Sequence, residues 1–164
     1  MFNRLSFQLQ LTLLACGVFA ASYSPLAAAA PTKAADVIRE SGIQGGLVIH
    51  LGCGEGELTG NLRINSRFQV HGLDRDATSI DSARKHLLKR GVYGHVTASR
   101  LAGSELPLVD GLANLLIVDD AQGIPRSEML RILAPQGVLM TRSTDGWARH
   151  QKPRPGDIDD WTHY

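Results

Sequence analysis

Residues 46–56 constrain this chain more than any other stretch. They read Gly46-Leu47-Val48-Ile49-His50-Leu51-Gly52-Cys53-Gly54-Glu55-Gly56. A strand covered on both faces is apolar throughout, and Leu47 to Leu51 fits that pattern, with His50 the exception. The strand runs into a turn with glycine at 52, 54 and 56. Glycine reaches positive φ without penalty and has no Cβ, so a ligand can approach the backbone closely. Such a strand–turn–helix start is where α/β folds bind nucleotide-like cofactors. A dinucleotide fingerprint, G-x-G-x-x-G, would place its third glycine at 57. That position is Glu57, which disfavours a nicotinamide-dependent oxidoreductase.

The 164 residues have room for one domain and a short appendage. A hydrophobic content of 43% and a charged content of 20% fit a globular chain. From Pro31 onward 16 basic residues face 16 acidic ones, so no nucleic-acid or anionic-membrane surface is indicated. Residues 1–30 differ from the rest. Arg4 gives a short positive start, Leu11 to Ala21 is an apolar run, and Leu26 to Ala30 offers small-residue cleavage sites. The run is too short for a membrane span of ~20 residues. It reads as a secretory signal peptide, with export to the periplasm or outside the cell. Leu13-Leu14-Ala15-Cys16 also resembles a lipoprotein acylation site, with Leu14 a poor fit. Loss of the leader would leave Cys53 as the only thiol, with no intrachain disulfide. The six histidines are dispersed, and no Cys/His cluster has metal-ligand spacing.

Helices are expected over 32–41, 57–64, 78–90 and 126–133, and strands over 47–51, 69–73, 95–98, 112–118 and 137–141. Within 78–90, Ile80, Ala83, Leu87 and Leu88 form one apolar stripe and Gly91 stops the helix. Strands alternating with helices imply right-handed βαβ units, hence a Rossmann-like, doubly wound, mainly parallel α/β sheet of about five strands. The domain is expected over 31–145. Residues 146–164, with a proline- and charge-rich stretch at 149–160, read as a linker or a lead-in to a further domain.

Asp74 ends the second strand, 22 positions after Gly52. A carboxylate there can accept hydrogen bonds from both hydroxyls of a ribose held over the first turn. The competing reading is a helix N-cap, a role for which Asp76 is better placed. With these motifs together, the chain resembles the class I S-adenosylmethionine-dependent methyltransferases. Leu51-Gly52-Cys53-Gly54-Glu55-Gly56 resembles their first motif. Gly72-Leu73-Asp74 with Ile80, Ala83 and Arg84 resembles the region after it. Leu106-Pro107-Leu108-Val109-Asp110-Gly111 running into Leu115 to Val118 resembles their approach to strand four. Met129 to Leu139 resembles their helix, turn and strand five. The likeness covers roughly residues 34–142.

The resemblance implies S-adenosylmethionine as cofactor and methyl transfer to an acceptor that the sequence does not specify. It implies that the backbone at Gly52, Cys53, Gly54 and Gly56 wraps the cofactor's methionine end, that Asp74 holds the ribose, and that Leu73 or Arg75 flanks the adenine. Asp119 and Asp120, at the end of strand four, are the candidate general bases. Three departures stand out. His50 occupies the place of the acid that steadies the cofactor's ammonium group in the family. Ser99 stands near where the family often carries an adenine-binding acid. Two of the family's seven strands are not evident. Lys152 to Tyr164 resembles the lead-in to pyrroloquinoline-quinone-type β-propeller domains of exported bacterial proteins, as though a longer parent chain carried a propeller here. An alternative function is therefore an exported, non-catalytic Rossmann-like module attached to such a propeller.

Overall fold

A computed structural model describes residues 33–144 and 146–156. The expected leader, the Cys16 motif and most of the propeller-like segment lie outside the described residues. The elements run α1 (Lys33–Ser41), β1 (Gly46–Leu51), α2 (Glu57–Leu62), β2 (Phe68–Asp74), α3 (Ala77–Lys89), β3 (Val96–Arg100), β4 (Ala113–Val118), α4 (Arg126–Arg131), β5 (Leu133–Ser143) and β6 (Gly146–Gln151).

One sheet has the strand order β3-β2-β1-β4-β5-β6. β1 to β5 are parallel, and β6 pairs antiparallel with β5. Side-chain alternation along the strands sends two apolar sets to opposite faces. Val48, Val70, Leu115, Ile117 and Met140 pack against α1, α2 and α3, chiefly on Val37, Leu62, Ala83 and Leu87. Ile49, Leu51, Leu73, Leu116 and Leu139 pack against α4 and the loop after β3, on Met129, Leu101 and Leu106. Burial on both faces explains why β1 and β4 read as unbroken apolar runs. This is the doubly wound α/β architecture the sequence implies.

Among the described residues the sheet has six strands rather than about five. Residues 146–151, expected to begin a linker, add an antiparallel edge strand, so the fold runs past residue 145. Five of the six β6 residues are exposed and Trp147 is half-buried, so no apolar alternation marks the strand. β5 starts at Leu133 rather than Gly137, because Ala113 pairs with Leu133 ahead of an irregularity in the β4–β5 ladder. Gln136 takes φ +64 within that stretch. Asp76 caps α3, accepting from the Thr78 and Ser79 amides at 3.2 and 3.0 Å. That leaves Asp74 free of the capping role.

In a sheet ordered 3-2-1-4-5, the chain leaves β1 toward one edge and β4 toward the other. The crevice between their carboxyl ends is where such folds admit ligands. The glycine turn follows β1 and Asp119 follows β4, so both border that crevice.

Candidate functional site

The glycine turn is built as expected in conformation and differently in purpose. Gly52, Gly54 and Gly56 take φ of +76, +51 and +81. A Cβ at Gly52 would lie 2.7 Å from the Asp120 amide nitrogen, and one at Gly56 would lie 2.9 Å from the Ala83 Cβ. At these two positions the missing side chain admits the β4–α4 loop and α3, rather than a ligand. A Cβ at Gly54 would meet nothing within 4 Å. The open face of the turn is therefore at Gly54.

The turn's amides are held by protein acceptors. Gly52 and Cys53 donate to the Leu73 carbonyl at 2.9 and 3.2 Å, and Gly56 donates to the Cys53 carbonyl. Gly54 donates to Asp74 Oδ2 at 2.9 Å. Asp74 Oδ1 accepts from the Asp76 amide at 3.0 Å. Burial alone would raise the Asp74 pKa. The amides of Asp76 and Gly54, the Gln122 side chain and the Arg75 amide together outweigh it, and the group is held below its usual range. Asp74 is thus an ionised carboxylate pinned against the open point of the turn.

Cys53 does not present its side chain to the crevice. The thiol is buried beside Gly72, and burial, with Asp74 adding to it, pushes its pKa up to about 12. Only its backbone borders the turn. His50 is also not a ligand group. It is buried, and both ring nitrogens are engaged, Nδ1 with Thr59 Oγ1 at 2.8 Å and Nε2 with Asp119 Oδ2 at 2.9 Å. A neutral ring with its proton on Nε2 satisfies both contacts, donating to Asp119 and accepting from the Thr59 hydroxyl.

Asp119 takes His50 on one oxygen and the Arg142 guanidinium on the other. Burial would raise its pKa, but the hydrogen bonds and positive charge of these partners win, and it is lowered. A depressed, doubly held carboxylate is a poor proton acceptor. That argues against the expected general-base role for Asp119. Asp120 is exposed, and its Oδ1 accepts from the Gln122 amide at 2.9 Å.

Arg75 lines the crevice but is tied down. Nε donates to the Gln122 carbonyl at 2.7 Å and Nη2 to the Gly103 carbonyl at 2.6 Å. Ser99 lies off the rim. Alternation on β3 puts it with Thr97 on the face that carries His71, and its hydroxyl bonds His71 Nε2 at 3.1 Å. The expected adenine-side contact from Ser99 is therefore not supported.

Two cavities lie toward the carboxyl ends of the strands, and neither is lined by Asp74 or by the glycine turn. One, of about 560 Å³, lies over β3 and β2 and is lined by Arg75, Arg100 and residues 101–103. The other, of about 460 Å³, lies between α1, α2 and the ends of β4 and β5, with Lys33, Glu57, Asn61, Asp119 and Arg142 at its wall and Ala34 and Leu58 as its apolar part. A third, of about 420 Å³, sits at the opposite end of the strands by Ile43, Ile64 and Phe68, and contains none of the expected residues. Among the described residues, no group of three or more His, Cys, Asp or Glu could hold a metal ion.

Sequence reasoning missed Lys33, Thr59, Gln122 and Arg142. Arg142 carried a readable signal, a basic residue where strand five runs out. Gln122 carried one as well, preceding Gly123 in a turn after strand four. Gln122 takes φ +50, and its Oε1 accepts from the Arg75 amide at 3.0 Å.

Residues 48–137 match the family model described as a methyltransferase domain, and the chain belongs to that family. No curated protein matches it. Among solved structures it is similar to an S-adenosyl-L-methionine-dependent methyltransferase assignment from Methanococcus maripaludis. That match has 23% identity and a TM-score of 0.60, over 66% of this chain and 52% of that one. It is similar to geranyl diphosphate C-methyltransferase from Streptomyces coelicolor, solved with Mg²⁺, geranyl diphosphate and S-adenosyl-L-homocysteine. There the identity is 18% and the TM-score 0.59, over 66% of this chain and 44% of that one. It is also similar to the [4+2]-cyclase SpnF, with 20% identity and a TM-score of 0.59, over 68% and 46%. The chain spans about half the length of these structures, and the likeness is one of fold.

Proposed function

We propose that this domain binds S-adenosylmethionine across the carboxyl ends of β3, β2, β1 and β4 and serves methyl transfer to an acceptor still to be identified. The observation that carries the reading is the placement of the ionised Asp74 against Gly54, the open point of the turn. Family membership supports it, and so does the S-adenosyl-L-homocysteine held by the Streptomyces relative. Strand order gives the sequence of subsites. The cavity by Arg75 and residues 101–103 suits a base, Asp74 a ribose, the open point at Gly54 a sulfonium, and the cavity by Asp119 the remaining arm.

The turn fits this ligand better than a dinucleotide. A diphosphate needs free amides at a helix start, and four amides of this turn already have protein acceptors. The cofactor supplies an electrophilic methyl group; the chain supplies position and charge. Asp74 takes the Gly54 and Asp76 amides on different oxygens, which leaves each oxygen a further acceptor direction that a sugar hydroxyl would share with the nearby Gln122 side chain and Arg75 amide. Asp120, exposed at the crevice, is the better placed of the two expected bases.

Export and a following propeller remain part of the proposal, supported by the leader pattern over 1–30 and by the likeness of 152–164. The non-catalytic alternative rests on the leader pattern and on His50 standing where the family carries an acid. Titration of the full chain with S-adenosylmethionine and with NADH tests the reading. Saturable binding of the first alone, lost in Asp74→Ala, supports it. Absence of binding at millimolar S-adenosylmethionine contradicts it.

A further inference from the structure

The cavity at the amino ends of β1 and β2 lies at the far end of the sheet from the glycine turn and takes no part in the proposed cofactor site. It holds about 420 Å³, within the range of small-molecule pockets. Ile38, Ile43, Ile64 and Phe68 supply its apolar lining. Ile38 and Phe68 belong to the core, whereas Ile64 keeps 46% of its surface exposed. A large aliphatic side chain left open beside a cavity is apolar surface still available to a ligand. The charged residues of the lining are Arg39 and Arg67, and among the described residues no Asp or Glu lines it.

Arg67 is held at its backbone and free at its head. Its amide donates to Asn65 Oδ1 at 2.8 Å, and its carbonyl accepts from the Gly46 amide at 2.8 Å. A Cβ at Gly45 would lie 2.9 Å from the Arg67 Cβ, so the side chain starts hard against the α1–β1 loop. Among the described residues, no carbonyl or carboxylate accepts from its guanidinium. The carbonyls at the end of α1 already have donors. The Ser41 hydroxyl donates to the Ile38 carbonyl at 2.7 Å, the Gly42 amide to the Arg39 carbonyl at 3.1 Å, and Arg149 Nε to the Ser41 carbonyl at 3.1 Å. Arg39 pairs with Asp36 through Nη2 alone, at 2.6 Å, and keeps its other N–H donors. A guanidinium fork without an acceptor, next to an apolar surface, complements a carboxylate carried on an apolar body.

We propose that this cavity binds a small amphipathic carboxylate. Its apolar body lies on Ile38, Ile43, Ile64 and Phe68, its carboxylate takes the Arg67 fork, and Arg39 adds positive charge. The site is separate from the cofactor crevice. Gly46 pairs with Phe68 at this end of β1 and β2, and Leu51 pairs with Leu73 at the other. Five strand steps between those pairs amount to about 16 Å. The proposal therefore does not depend on the cofactor reading, and a ligand bound here leaves the crevice open.

Three probes that share one apolar chain test it on the full ¹⁵N-labelled protein: octanoate, octanol and octylamine. Octanoate is expected to shift the amides of Ile43, Ile64 and Arg67 saturably. It is expected to bind at least tenfold more tightly than octanol, with octylamine weaker still. Arg67→Gln is expected to weaken octanoate tenfold or more and octanol less than twofold. Arg67→Lys keeps the charge and loses the fork, so its octanoate affinity is expected to fall between the two. Ile64→Ser is expected to weaken octanoate and octanol alike. Ile64 and Arg67 are both exposed, so these variants are expected to keep the wild-type urea midpoint. Equal affinity for the three probes, octanoate binding unchanged in Arg67→Gln, or no saturable shift at millimolar octanoate would each overturn the proposal.

Discussion

Asp74 Oδ2 accepts the Gly54 amide at 2.9 Å, and so fastens the tip of β2 to the one point of the glycine turn that has open space beyond it. The same carboxylate takes the Asp76 amide that begins the next helix. Asp74→Ala therefore affects both binding and fold. It leaves two amide donors without their partner, at a cost of about 1–3 kcal/mol each, and it removes the ribose acceptor. Asp74→Asn, nearly isosteric, is expected to retain more of the stability and still lose tenfold or more in S-adenosylhomocysteine affinity. Chemical denaturation and calorimetric titration of both variants check this.

The glycines of the turn separate by what their hydrogens face. Gly56→Ala places a methyl against Ala83 at a φ of +81, combining left-handed strain of about 1–2 kcal/mol with overpacking of about 1–3 kcal/mol. Gly54→Ala carries the strain alone, because nothing stands within 4 Å. Its methyl projects into the space proposed for the ligand. Urea midpoints are expected to fall further for Gly56→Ala. S-adenosylhomocysteine affinity, measured on folded protein, is expected to fall further for Gly54→Ala.

Arg131 ties α4 to the segment before β4. It bonds Glu128, Asp110 and the Leu106 and Leu108 carbonyls, while Glu128 Oε1 accepts the Leu106 amide at 2.7 Å. The hydrogen bond from Arg131 is the largest cause of a Glu128 pKa lowered from 4.5 to about 2, with burial opposing it. A carboxylate that is harder to protonate when folded stabilises the fold above its unfolded pKa. That contribution is complete above about pH 4.5 and disappears as pH falls toward 2. Asp74 and Asp119 act with the same sign. Urea midpoints followed from pH 7 to pH 2 are expected to drop most below pH 4.5. Glu128→Gln is expected to lower stability at neutral pH by about 1–3 kcal/mol and to flatten the acid limb.

Cys53 is expected to be silent toward thiol reagents. The thiolate is the reactive form, and a pKa of about 12 in a buried site leaves almost none at pH 8. Mass spectrometry of the Cys53 peptide after maleimide treatment should show little labelling in buffer and full labelling in urea. Rapid native labelling would mean that the turn opens away from Gly72.

The parts of the fold covered on both sides were legible in the sequence. β1, β2 and β4 announce themselves through Leu47–Leu51, Val70–Leu73 and Leu115–Val118, because a buried strand has to be apolar. β6 does not, since an edge strand with one half-buried residue, Trp147, needs no pattern of its own. The glycine turn and Asp74 were legible because backbone conformation and a strand-tip carboxylate are local properties. His50 was not: its meaning depends on Asp119, 69 positions away, and on Thr59 from a different element. Ser99 was placed at the right height and on the wrong face, because alternation from Val96 turns it toward His71. Cys53 looked like part of the turn, yet its side chain fills the space that Gly72 leaves open.

The central claim is a location, a nucleoside site between Asp74 and Gly54. A titration of ¹⁵N-labelled chain with S-adenosylhomocysteine, followed amide by amide, reads that location directly. The predicted result is saturable shifts at Gly54, Asp76 and Gly103, with little change at Ile43 and Ile64 by the cavity at the other end of the strands. Saturation confined to Ile43 and Ile64, or an unchanged spectrum at millimolar ligand, would contradict it.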